Sequence, residues 1–345
     1  MASKAELHDE DYAVGIVRSV CILAGVPSYV DDLRAQLRHG GVLEAVRDRD
    51  TPRLFDWLMS ILSFHGIADR VVEDFIDKNG NVTWSDIEQS LATWPTCAKL
   101  GGYWLFHGCR YHKLAGACAE PIHITACPLP LHPLRNGRLN QTAYSLFLFI
   151  RDVADSDVVG WLDQQLSESK SVAMAAARER LVGPLRHIYG VSDKVLAMAL
   201  SALLMGTGRH GSRWFDVGAS FVVIDTLVHN FLHRTGILWR LNADHPYGSG
   251  CYRPGGCADI LEQVAAHIDA SAFNPSFPKT FPRFVQSAVW RYCAEGGLDV
   301  CNGNRIRDED RCQNVYCRLH ASCDRIVLRP KRMVENAKNH VFSMV

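Results

Sequence analysis

Two helical patterns that meet at one glycine set the strongest limit on what this chain can fold into. Ala175, Leu181, Leu185 and Ile188 recur at helical spacing upstream, and Val195, Leu196, Ala199, Leu200, Leu203 and Leu204 do so downstream. A period of about 3.6 residues gathers each set on one face, so both segments read as helices with a buried side. Between them, Ile188-Tyr189-Gly190-Val191-Ser192-Asp193-Lys194 reads as a tight turn. Gly190 can take the positive φ such a turn needs. The expectation is a helix–hairpin–helix whose backbone N–H groups point outward at a helix N-terminus, which makes a phosphate site. Further on, Val223-Ile224-Asp225-Thr226 precedes another helical pattern, Val228, Phe231 and Leu232. Asp225 is therefore either a helix cap or a carboxylate positioned for chemistry.

The 345 residues suffice for a full core or two closely joined domains, and 48% hydrophobic with 21% charged residues is an ordinary globular balance. Lys+Arg and Asp+Glu are both 37, so no overall field attracts nucleic acid. A DNA contact has to come from backbone amides and local patches. One such patch is the basic tail with Arg325, Arg329, Lys331, Arg332 and Lys338 against Glu335, which reads equally well as a solvated terminus. Residues 1–12 are acidic and polar, without a signal core. No apolar run approaches the ~20 residues of a membrane span. The expectation is a soluble, cytoplasmic monomer, in which twelve cysteines serve as metal ligands or buried thiols.

The cysteines fall into groups. Cys301, Cys312, Cys317 and Cys323 follow an apolar helical stretch and lie in an Asn-, Gly- and Arg-rich loop. Four thiolates so placed suit an iron–sulfur cluster or a zinc knot, with Cys293 as a spare. Cys97, Cys109, Cys118 and Cys127 are interleaved with His107, His112, His123 and His132 in a proline-rich stretch. That segment reads as a structural zinc element or as buried thiols; its spacings are long and hold no CxxC.

These residues carry a resemblance to the helix–hairpin–helix DNA glycosylases, the superfamily of endonuclease III. The turn is similar to its L-P-G-V-G-x-K-T-A hairpin, with Tyr189 in place of the proline and Ser192 in place of the second glycine. Val223 to Thr226 is similar to its V-D-T. The last cysteine spacing matches the family's C-x6-C-x2-C-x5-C loop, and the first two are stretched to x10 and x4. Leu54 to Ile67 resembles the first barrel helix, with Ser63-Phe64-His65 where the family has L-S-x-Q.

The resemblance implies an all-α fold in two helical lobes. A barrel with the hairpin would span 52–235, interrupted by a Cys/His-rich insertion at 97–135. A cluster lobe would form from 1–51 and 236–345. It further implies a double-stranded DNA partner carrying a modified base, flipped into a pocket between the lobes. Asp225 would stabilise the sugar cation, and Lys194 would be the nucleophile of a glycosylase with AP-lyase activity. The amides of Gly190 and Ser192 would hold phosphate, His65 would fill the gap left by the base, and Arg209 would add charge beside the cleft. Cys301, Cys312, Cys317 and Cys323 would bind a [4Fe–4S] cluster, with a second, zinc site at Cys97, Cys109, Cys118 and Cys127. The extra residues around Gly206 to Ser212 leave the base open: oxidised, alkylated, or hypermodified as in viral DNA. The alternative is a non-catalytic, metal-stabilised DNA-binding protein.

Three weaker patterns remain. Asp77 to Asn81 imitates a calcium loop, but Val82 stands where the loop needs glycine, and a turn with a Ser85-x-x-Glu88 capping box fits better. Gly206-Thr207-Gly208-Arg209-His210-Gly211 matches GxGxxG but follows a helix, so it reads as a helix cap and loop. His229 and His233 stand at i, i+4, a metal pair or a pair of DNA-facing or core histidines.

Overall fold

The computed structural model describes residues 4–64, 69–93, 97–120, 127–132, 134, 139–168 and 172–329. In chain order the first helices are α1 (Lys4–Ala24), α2 (Tyr29–His39), α3 (Val42–Asp48), α4 (Thr51–Phe64), α5 (Asp69–Asn79), α6 (Trp84–Thr93) and α7 (Tyr103–Phe106). A two-stranded antiparallel pair follows, β1 (Tyr111–His112) with β2 (Ala117–Cys118), in the register Tyr111 to Cys118. Then come α8 (Asn140–Asp152), α9 (Val158–Glu168), α10 (Met174–Leu185), α11 (Asp193–Thr207) and α12 (Arg213–Ser220). The last are α13 (Thr226–Arg234), α14 (Ile237–Arg240), α15 (Cys257–Ala266) and α16 (Pro282–Cys293). The fold is all-α, as expected, with one short two-stranded pair among the described residues.

The chain forms two compact units. One comprises 1–25, 224–268 and 285–345; the other comprises 26–223 and 269–284. The divisions fall at 25 and 223, where 51 and 235 were expected. The chain after Pro27 stays with the larger unit because α2 packs on α11 there.

In the larger unit α8 is the central helix, with every residue from Asn140 to Ile150 buried. A helix buried on all sides must satisfy its own polar groups. Tyr144 Oη meets Ser90 Oγ at 2.6 Å and His132 Nε2 at 3.1 Å. Asn140 Nδ2 donates to Leu129 O. Phe55, Trp84 and Phe147 interlock α4, α6 and α8, with ring centroids 5.6 and 4.2 Å apart. The capping box lies two residues before the expected one. Thr83 N–H donates to Asp86 Oδ2 at 2.8 Å, and Asp86 N–H donates to Thr83 Oγ1 at 3.3 Å. Thr83 has the cap position because α6 begins at Trp84.

The smaller unit joins distant parts of the chain. α1 packs on α14 and α15. Arg240 donates to Asp324 at 2.7 and 3.0 Å and to Asp9 at 3.1 Å, and its guanidinium lies 4.0 Å above the Tyr12 ring. Tyr12 Oη donates to Thr235 O at 2.6 Å.

Candidate functional site

The hairpin forms where its pattern placed it. α10 ends at Leu185, Gly190 has φ +74°, and α11 begins at Asp193 behind an extended Ser192. A side chain at Gly190 would be strained by that φ. The Ser192 hydroxyl caps nothing, so the first N–H groups of α11 have no side-chain cap. Lys194 is the second residue of α11 and is half-buried; its neighbour Asp193 accepts from Arg186 Nε at 2.9 Å. Tyr189 turns inward. Its Oη donates to His107 O at 2.7 Å, and its carbonyl accepts from Thr142 Oγ1 at 2.6 Å. The turn is thus fastened to α8 and to the cysteine-rich segment 97–127.

Within that segment Cys97, Cys109, Cys118 and Cys127 line one cavity. Tyr111 N–H points at Cys109 Sγ (3.5 Å) and Glu120 N–H at Cys118 Sγ (3.4 Å). Leu129 N–H is directed at Cys127 in the same way. A backbone donor two residues beyond a cysteine favours its thiolate. Burial, with a smaller contribution from the neighbouring cysteines, pushes the Cys127 thiol up to about 11. A bound metal reverses that balance. The interleaved histidines have other partners: His112 Nδ1 accepts from Ala115 N–H at 3.2 Å, and His107 stacks on His187 with centroids 4.9 Å apart. His132 is held by Tyr144, and His123 lies outside the described residues.

In the other unit Asp225 is the N-cap of α13, its Oδ1 accepting from Val228 N–H at 2.9 Å. The residue before it is held at both backbone groups: Ile224 N–H donates to Tyr252 Oη at 2.8 Å, and Tyr252 Oη donates to Ile224 O at 3.3 Å. Cys301, Cys312, Cys317 and Cys323 line a second cavity. Tyr292 Oη lies 3.0 Å from Cys317 Sγ. Cys293 stands behind Cys301 as a hydrogen-bond donor, which lowers the Cys301 thiol. Arg234, 2% exposed, also lines the cavity. Its Nη2 donates to Asp308 Oδ1 at 2.8 Å, while its Nε and Nη1 are buried without a hydrogen-bond partner among the described residues.

One group escaped the sequence reading. His229, His245, Cys251 and Cys257 bring one ligand atom each to within 4.8 Å of one another and could hold a metal ion. His229 was paired with His233 by its i, i+4 spacing, but His233 instead faces Asp244 at 3.3 Å. The signal was the even H-x5-C-x5-C spacing from His245 to Cys257 in a glycine-rich run, to which only folding adds His229.

The remaining expected residues separate. Arg209 is exposed in the loop after α11, and Gly208 caps that helix. His65, Lys331, Arg332 and Lys338 lie outside the described residues. Among the described residues no single helix is long and apolar enough to cross a membrane. Comparison with protein-family models, with curated proteins and with solved structures gives no match.

Proposed function

We propose that the protein is a DNA glycosylase of the helix–hairpin–helix type. The observation that carries this reading is the hairpin. A glycine at φ +74° and an uncapped helix start present backbone amides to a phosphate, with Lys194 on the first turn behind them. Asp225 supports it from the other unit, as a carboxylate whose backbone is held on both sides, at Ile224 N–H and at its own carbonyl. No second hydrogen bond to its carboxylate is found among the described residues, so one oxygen remains for a substrate.

Breaking the bond between C1′ and the base leaves positive charge on the sugar, which a fixed carboxylate stabilises. The base departs with the bonding electron pair and takes up a proton. Water then forms the new C1′–O bond and loses a proton. In the bifunctional form the Lys194 amine, which must be neutral, attacks C1′ in place of water as the base leaves with the bonding pair. The nitrogen then loses its protons and the C1′–O4′ bond breaks, its oxygen taking up a proton, to give the imine. Lys194 and Asp225 belong to different units, and each assignment rests on its own local setting.

The C-terminal loop fits a [4Fe–4S] cluster held by Cys301, Cys312, Cys317 and Cys323. The four thiolates surround one cavity, and the unpartnered N–H groups of buried Arg234 suit an anionic cluster. We assign a structural zinc to the four cysteines of the 97–127 segment on the backbone donors at three of them.

A non-catalytic DNA-binding module is the second reading. The bond from Val228 N–H favours it, because a capping role alone explains an aspartate at that position. A screen of duplexes carrying oxidised, alkylated and hypermodified bases, glucosylated phage DNA included, tests between them. Base release by the wild type that is lost in Asp225→Asn supports the enzyme. DNA binding without release from any duplex supports the module.

A further inference from the structure

His229, His245, Cys251 and Cys257 come from four separate places: the first turn of α13, the loop after α14, the short helical turn Ser249–Tyr252, and the first residue of α15. His229 Nδ1 lies 3.3 Å from Cys257 Sγ and 3.6 Å from Cys251 Sγ. His245 Nε2 lies 3.4 Å from Cys257 Sγ. A tetrahedral zinc with Zn–S of about 2.3 Å and Zn–N of about 2.0–2.1 Å sets its nitrogen and sulfur ligands about 3.5 Å apart. The three distances match that edge.

The surroundings match as well. His245 Nδ1 lies 2.6 Å from Ala243 O. A ring N–H given to a backbone carbonyl puts the lone pair on Nε2, the atom facing the group, which is the usual support of a metal-binding histidine. Cys251 and Cys257 are fully buried and His229 is 4% exposed. Two thiolates and two neutral imidazoles around a divalent cation sum to zero charge, so the set is neutral where water is excluded. The loop closes tightly: a Cβ at Gly256 would stand 2.3 Å from Gly250 O.

We infer that His229, His245, Cys251 and Cys257 bind one structural zinc ion, which fixes the backbone on both sides of Asp225. Four protein ligands leave no open position, which marks the site as structural. Binding forms two Zn–S and two Zn–N bonds and releases the two thiol protons to solvent. The ion joins the first turn of α13 to the 245–257 loop. Next to Cys251, Tyr252 holds Ile224, and on the far side His229 N–H donates to Asp225 O at 3.0 Å. The zinc assignment does not depend on Asp225 being catalytic.

Elemental analysis of the full chain tests the inference, because the other cysteine groups are untouched by the variants. His245→Leu and Cys257→Ser should each lose one zinc per chain relative to wild type, and His245→Cys, which restores a ligand, should keep it. Asp225→Asn should keep it too, even where it abolishes base release. Amides of the segment 222–232 should exchange faster in His245→Leu. If those variants prove insoluble, 113Cd NMR of the cadmium-loaded wild type reads the site directly, through one resonance coupled to both histidine ring and cysteine β protons. Soluble His245→Leu and Cys257→Ser with the wild-type zinc content, or a cadmium spectrum without that mixed resonance, overturns the site. Absence of glycosylase activity leaves it standing.

Discussion

Asp225 does one thing that is visible in the fold and is proposed to do another, and two substitutions separate them. Its Oδ1 accepts the Val228 N–H at 2.9 Å. Asparagine is as good a cap as aspartate, whereas alanine leaves that N–H unsatisfied and costs about 1 kcal/mol. In units of this size that is a fall in Tm of about 2–4 °C. The catalytic role depends on charge. Removing one preorganised electrostatic group from a charged transition state costs about 2.7–4 kcal/mol, or about 10²–10³ in rate. Asp225→Asn should therefore unfold with the wild type yet release base about 10²–10³ more slowly. Asp225→Ala should lose both rate and Tm. Single-turnover base release at saturating protein, thermal unfolding and DNA binding measure the three quantities on the same samples. Base release by Asp225→Asn at the wild-type rate refutes the catalytic role and leaves the cap as the whole explanation of the residue.

Lys194→Gln should abolish borohydride trapping of a covalent DNA adduct while some base release by water survives; a wild type that is never trapped limits the protein to hydrolysis. Anaerobically purified protein should be brown with about four irons per chain, and Cys317→Ser should remove the colour; colourless protein carrying only zinc sinks the cluster assignment. Cys109→Ser with Cys118→Ser should remove one further metal, and since Tyr189 is anchored on His107 O, the hairpin should bind DNA more weakly; unchanged metal content returns these cysteines to buried thiols. Burial lowers the His132 imidazole below its ordinary value, so folding favours its neutral form. The stability this contributes is complete above the unfolded pKa of about 6.5 and is lost as pH falls through that value toward the lowered folded one. Tm should then drop between about pH 7 and 5.5 more steeply in wild type than in His132→Gln, and parallel curves would show that His132 does not set the slope.

Much of the site was legible in the sequence because its parts are local. The hairpin lies within the run from α10 to α11, and a glycine at the meeting of two helical periods has few other uses. Asp225 at the start of an apolar helix announces a cap from four residues alone. Each cysteine quartet lines one cavity.

The long-range closures were not legible. Nothing near Tyr189 shows that its hydroxyl would reach His107 across 82 positions. Arg234 is one cation at the end of a helix until folding buries it beside Asp308 and the cysteine cavity. His229 had an obvious partner in His233 by helical spacing, and the fold gave it different ones. Periodicity depends on backbone geometry over a few turns, so the sequence by itself determined the helices and the hairpin. Which side chains meet depends on where loops return, and a residue pattern does not encode that locally. The tertiary structure alone brought His245, Cys251 and Cys257 back onto α13, beside the carboxylate on which the proposed chemistry depends.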